Sequence, residues 1–100
     1  MILRERTTEQ GLMVAVCDRD VLGETFENGH VSLTVSEDFY AGDEADADAG
    51  ESAVVESLSR AQVANIVGER AVAVAVEAGI IDAANVLDVG GTRHAQLVRL

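Results

Sequence analysis

Leu12-Met13-Val14-Ala15-Val16-Cys17 is the stretch that decides the fold. It is short, continuous and apolar, bounded by Gln10-Gly11 before it and Asp18 after it, and that pattern belongs to a strand buried on both faces. A strand of this kind needs neighbours on its edges and a layer on each side. Toward the amino terminus, residues 1–9 open with Ile2-Leu3 and then alternate weakly among charged residues, predicting an edge strand that turns at Gln10-Gly11. Toward the carboxy terminus, Asp18 is placed to cap a single helical turn that Gly23 ends. Asn28-Gly29, between Phe26 and the alternating run Val31–Ser36, predicts a hairpin.

From Glu37 to Glu51 the composition changes: seven of fifteen residues are acidic, and apolar periodicity stops after Tyr40. Residues 41–52 read as a mobile acidic loop. Val54, Val55, Leu58 and Ile66 then recur at helical spacing, predicting an amphipathic helix over 52–67 that Gly68 breaks. Residues 69–78 carry both periods, since Val72, Val74 and Val76 alternate with alanine. The alanine content and the bounding Gly68 and Gly79 favour a second helix. After an exit turn over 80–85, residues 86–89, 90–93 and 94–100 read as strand, turn and strand. The resulting expectation is one domain over 1–100 in the α+β class, a largely antiparallel sheet of amino- and carboxy-terminal strands packed against a helical pair.

The charge balance is unusual: 18 acidic residues face seven basic ones, every basic residue is arginine, and the formal net charge is -11. In dilute buffer such a charge opposes compaction, whereas at molar salt the Debye length falls to about 3 Å and the repulsion is screened. Acidic side chains also sustain solubility better than lysine does. The surface therefore suits a high-salt interior, and in that setting net acidity does not exclude a nucleic-acid partner; the placement of individual arginines has to decide.

Phe26, Phe39 and Tyr40 are the only aromatic residues and offer no stacking platform for bases or a cofactor. Cys17 is the single cysteine, which excludes an intrachain disulfide and a multi-cysteine metal cage. No segment approaches 18 consecutive apolar residues and the first residues lack a cleavable leader pattern, so a cytoplasmic location with no membrane association is expected.

Val14-Ala15-Val16-Cys17-Asp18 followed by Leu22-Gly23 and Phe26, then Phe39-Tyr40-Ala41-Gly42, Ala64-Asn65-Ile66-Val67-Gly68-Glu69-Arg70, and Gly90-Gly91 with His94-Ala95-Gln96 resemble the archaeal domain of unknown function 424 family (DUF424). The resemblance spans residues 11–100 and implies an archaeal intracellular protein, with no activity attached. The length and acidity of residues 41–52 depart from that family pattern, as a halophilic elaboration would.

Cys17 and His94 are the residues to consider for nucleophilic chemistry, because a thiolate needs a base. A lone cysteine ending an apolar strand is more often a small buried hydrophobe. Asp18 is the other acid–base candidate beside His94, and Asp18 with Asp20 would be too few oxygens for a hard cation, so turn capping is their expected role. Alternation puts His94 and Gln96 on one strand face with Arg93 beside them at the turn, a set able to hold an anion or a base edge. A histidine that only hydrogen-bonds its neighbouring strand is the competing reading. Asn65 and Arg70 flank the break at Gly68, where Asn65 caps the junction or the amides of the second helix take an anion. The acidic run lacks the glycine and glutamate placement of a calcium loop, and Gly90-Gly91 has no phosphate-loop Lys-Ser after it. No metal or cofactor is expected. A non-catalytic module that binds RNA or a protein complex, as part of the information-processing machinery, is the leading expectation; a small enzyme using His94 with Cys17 or Asp18, and a homodimeric structural protein, are the alternatives.

Overall fold

The computed structural model describes residues 1–99. Two antiparallel strands, β1 (Ile2–Thr8) and β2 (Gly11–Cys17), are followed by a 3-10 turn at Arg19–Val21 and a hairpin of β3 (Thr25–Asn28) and β4 (Val31–Thr34). The one-turn helix α1 (Glu37–Tyr40) and helix α2 (Glu51–Arg60) lead into β5 (Val63–Val67) and helix α3 (Glu69–Glu77). A second 3-10 turn at Ala83–Asn85 precedes β6 (Leu87–Val89) and β7 (Thr92–Val98). The main sheet has the order β1-β2-β5-β7-β6, and β3-β4 forms a separate two-stranded sheet.

The class is α+β and most pairings are antiparallel, but the sheet is mixed: β2 and β5 run parallel. The expected helix over 52–67 is the cause of the difference. It ends at Arg60, and Val63–Val67 is a central strand. Ala64, Ile66 and Val67 are fully buried, and two β-branched residues in a row suit a strand enclosed on both sides. Ile66 continues the helical spacing of Val54 and Leu58 only by coincidence of the two periods, because all three enter the same core. The second helix takes the expected place, ending where Gly79 adopts a φ of 74°.

Segment 41–52 differs from a free loop. Leu3 and Asp46 exchange two backbone hydrogen bonds of 2.8 Å, Ala49 donates to the Met1 carbonyl at 2.9 Å, and residues 51 and 52 already belong to α2. The acidic side chains face solvent while buried Ala49 holds the segment on the core.

Pleating divides the core. Leu3, Val14, Val16, Ala64, Ile66 and Ala95 point to one face, where α2 and α3 cover them with Val54, Leu58, Val72 and Ala75. On the other face Ile2, Ala15, Cys17 and Val67 pack under Val21, Val35 and Tyr40, supplied by the first 3-10 turn, the end of the hairpin and α1. The hairpin lies close against the β6–β7 turn: a Cβ at Gly90 would come within 2.7 Å of the Glu27 nitrogen.

Edge strand β1 is tied to α2 through Glu5. The Ser57 hydroxyl donates to a Glu5 carboxylate oxygen at 2.5 Å and the Arg60 guanidinium donates to the same oxygen at 2.6 Å. The Ser57 bond, reinforced by Arg60, holds the Glu5 carboxyl below its ordinary value of 4.5 against the opposing effect of burial. A carboxyl whose folded pKa is depressed stabilises the fold fully above its unfolded pKa, and the contribution disappears as pH falls through the folded value. Glu5→Gln is therefore expected to lower stability by about 0.5–1 kcal/mol at neutral pH. In denaturation curves taken across the acid range, the gap between wild type and variant should close as pH falls below 4.5.

Candidate functional site

Strand register fixes which side chains share the second face of the sheet, since directly paired residues project to the same side. One row across it reads Ile2, Cys17, Val67, His94 and Leu87; the next reads Arg4, Ala15, Asn65 and Gln96; a third reads Arg6, Met13, Val63 and Val98. The hairpin end and α1 cover this face at the Ile2, Ala15, Cys17 corner. The opposite corner is open: Val98 is 64% exposed, Leu87 is 59% exposed, Gln96 is exposed, and Met13, Val63, Asn65 and His94 are half-buried.

Three of the residues singled out in the sequence meet on this open half. Gln96 Nε2 donates to Asn65 Oδ1 at 2.9 Å, so the two amides form a cross-strand pair. One row away, His94 Nδ1 lies 3.0 Å from the Ile66 carbonyl oxygen, to which it donates, since a carbonyl can only accept. Arg93 does not join them. Alternation sends it to the opposite face, where it pairs with Asp88 in register while its carbonyl accepts from Gly68 N at 2.9 Å.

Asn65 does not cap the helix junction. That role belongs to Asp18, whose two carboxylate oxygens accept from the amides of Arg70 and Ala71, both at 2.9 Å, and which leaves its own 3-10 turn without a side-chain cap. Two amides of the first turn of α3 are thus satisfied by a side chain 52 and 53 positions away, and those two leave no place for an anion. Nothing local in the sequence could reveal this pairing, because it depends on β2 and β5 running parallel and ending level.

Cys17 is completely buried. Burial pushes its thiol up to about 11, helped by the charge of Asp18. It and His94 are separated by β5, two strand spacings or roughly 10 Å. The thiol is protonated at neutral pH and has no hydrogen bond to a base among the described residues, the opposite of an activated nucleophile.

The arginines are mostly spoken for. Arg4 donates to the carbonyls of Asp38 and Ala41, Arg6 donates to the Asp38 carbonyl at 2.9 Å and lies over the Phe39 ring, and Arg99 donates to the carbonyls of Leu58 and Ala61 at the end of α2. Arg19 pairs with Asp48, and Arg60 with Glu5 and Glu56. Arg70 and Arg93 have no ion pair or side-chain hydrogen bond among the described residues, and neither lies on the open sheet face.

A cavity of about 560 Å³ lies outside the carboxyl ends of β2 and β5, where Asp18, Asp20, Glu24, Glu69, Arg70 and Thr92 contribute to its wall. Asp18 and Arg70 were legible in the sequence. Glu24, Glu69 and Thr92 come from three separate elements and carry no shared motif. Among the described residues no three His, Cys, Asp or Glu side chains converge as a metal site, and no helix is long and apolar enough to cross a membrane.

A family model described as "Protein of unknown function (DUF424)" matches residues 5–100. A solved structure described as an uncharacterized conserved protein from Methanopyrus kandleri is similar over 99% of this chain and 93% of that one, with 27% sequence identity and a TM-score of 0.74. No curated protein matches the chain.

Proposed function

The chain belongs to the DUF424 family, whose description carries no activity, and we propose from its side-chain geometry that it is a non-catalytic module binding a protein partner on the open half of its sheet. The observation that carries this reading is the juxtaposition of exposed Val98 and Leu87 with the Asn65–Gln96 amide pair and His94. Rigid strands present apolar groups beside satisfied but reachable polar ones, the composition of the centre of a protein interface. RNA suits this face less well. Phosphate contacts need free cations, and Arg70 and Arg93, the two arginines without a partner among the described residues, lie elsewhere. The buried, protonated Cys17 and its separation from His94 count against the enzyme reading.

The setting we propose is the cytoplasm of a salt-accumulating archaeon. Support comes from the absence of lysine and the net charge of -11, a surface that molar salt relieves of self-repulsion.

Differential capture tests the binding reading. Immobilised wild type and Val98→Glu are exposed to the same lysate in molar KCl, and bound proteins are quantified against each other. Val98 is 64% exposed, so the variant should keep its stability within about 0.5 kcal/mol. One or a few proteins should be depleted by about tenfold or more with the variant. Identical captured sets, or recovery of this chain alone as a self-associated pair, would remove the support for a protein partner.

A further inference from the structure

The two edges of the main sheet are protected unequally. In an antiparallel ladder the residues of each strand alternate, one turning its backbone N–H and C=O to one neighbour and the next to the other. Arg99 N donates to the Gln62 carbonyl at 2.8 Å and Gly68 N to the Arg93 carbonyl at 2.9 Å, so the odd-numbered residues of β7 turn their backbone toward β5. Thr92, His94, Gln96 and Val98 turn theirs to the outer edge. There β6 takes up only Thr92 and His94, because its pairing stops at Leu87 opposite His94, and the 3-10 turn Ala83–Asn85 lies before it. The N–H and C=O groups of Gln96 and Val98 have no backbone partner among the described residues, and both residues are exposed.

Proteins ordinarily guard such an edge with charge, proline, a bulge or covering chain. The far edge is guarded in this manner: Asp46 exchanges two backbone hydrogen bonds with Leu3 of β1, and Arg4, Glu5 and Arg6 follow along the strand. The β7 edge has none of these devices. Ala95-Gln96-Leu97-Val98 carries neither charge nor proline, and its register against β5 is unbroken. Arg99, the next residue, turns inward and donates to the carbonyls of Leu58 and Ala61. A neutral, exposed edge in a chain of net charge -11 is the place at which a strand from outside can add.

The edge also defines what fits it. Its free N–H and C=O groups, at Gln96 and Val98, match an extended segment about four residues long. Residues of that segment opposite Gln96 and Val98 project onto the open sheet face, where Val98 and its register partner Val63 offer apolar contact. The residue between them lies beside Leu97, half-buried against the helix-covered core, where a charge would lose hydration without a partner. Building on the reading that a protein partner seats on this half of the sheet, we propose that the partner adds a neutral, β-branched extended segment to the outer edge of β7 at Gln96 and Val98.

The probe is the end-blocked peptide Lys-Thr-Val-Thr-Val-Thr-Lys, titrated into the isotope-labelled full chain in molar KCl and followed by amide NMR. Saturable shifts are expected at Gln96 and Val98, and exchange of those two amide protons should slow by about tenfold or more. The wild-type chain alone gives this readout. Val98→Pro removes an outward N–H that β5 does not use, a change that edge strands tolerate. It should weaken the peptide by about tenfold, whereas Val98→Ala, which trims the side chain and keeps the N–H, should weaken it by less than about threefold. Shifts confined to Glu5 and Thr7 on the β1 edge, unchanged exchange at Gln96 and Val98, or equal losses in the two variants would overturn the proposal. So would slowed exchange that follows protein concentration without peptide, since a second copy would then hold the edge. The partner reading fails separately: lysate capture lost in Val98→Glu but intact in Val98→Pro keeps a partner on the sheet face and overturns strand addition, while capture identical for all three chains removes the partner itself.

Discussion

Gly68→Ala is expected to destabilise the protein by about 2–5 kcal/mol, a fall in melting temperature of more than about 10 °C for a domain of this size. Gly68 has φ 116° and ψ 153°, a region that residues with a Cβ avoid. The added Cβ would also stand 2.4 Å from both Cγ and Oδ2 of Asp18. The carboxylate has no room to retreat, because it accepts from the amides of Arg70 and Ala71. Strain at the glycine and loss of the remote cap thus arrive together. Asp18→Ala alone should cost about 1–2 kcal/mol. Combining the two should cost less than their sum, since removing the carboxylate relieves the collision. Chemical denaturation of the three variants checks this cycle, and a Gly68→Ala protein within about 0.5 kcal/mol of wild type would contradict it.

Ile66→Ala should cost about 3–5 kcal/mol. Ile66 is fully buried at the centre of the sheet, with β2 on one side and β7 on the other, and packs into the core shared with Val54, Leu58 and Val72. Truncation leaves a cavity that neither the sheet nor two helices can collapse into. Leu87→Ala is the counterpart on the open face; at 59% exposure it should change stability by less than about 0.5 kcal/mol. Denaturant midpoints that fell equally for both variants would mean that β5 is not the packed centre of the sheet.

What the sequence made legible follows the range of the interactions. Residues 12–17 and 69–77 declared a buried strand and a helix because their signals are local: a continuous apolar run, and alanine-rich chain between Gly68 and Gly79. The Asn28-Gly29 hairpin is local too, with Gly29 at φ 62°. The strand β5 stayed hidden inside an expected helix, because Val54, Leu58 and Ile66 satisfy a helical period across a break at Ala61 that no glycine or proline marks. Losing β5 also concealed the parallel pair, and with it the reach of Asp18 to α3.

Site residues divide in the same way. His94 and Gln96 share a face by alternation within a single strand, which spacing alone reveals. That Asn65 is the partner of Gln96 depends on the register of β5 against β7, set by the whole sheet. Arg93, adjacent in sequence, is carried to the other face by the same alternation because β7 begins at Thr92, one residue before it. The placement of the individual arginines likewise gave no binding surface on the open sheet face. Arg99 caps the carboxyl end of α2 and Arg60 ties that helix to Glu5, so both serve the fold.

The central claim is that a protein partner seats on the open half of the sheet, and site-specific photocrosslinking tests it most directly. A benzophenone side chain placed at Val98, and in a separate protein at exposed Ala78 beyond α3, is irradiated in cell extract at molar KCl. Position 98 is predicted to give a discrete heterologous adduct that Gln96→Lys in the same chain abolishes, while position 78 gives none. Equal adduct patterns from both positions, or no adduct from position 98, would contradict the claim.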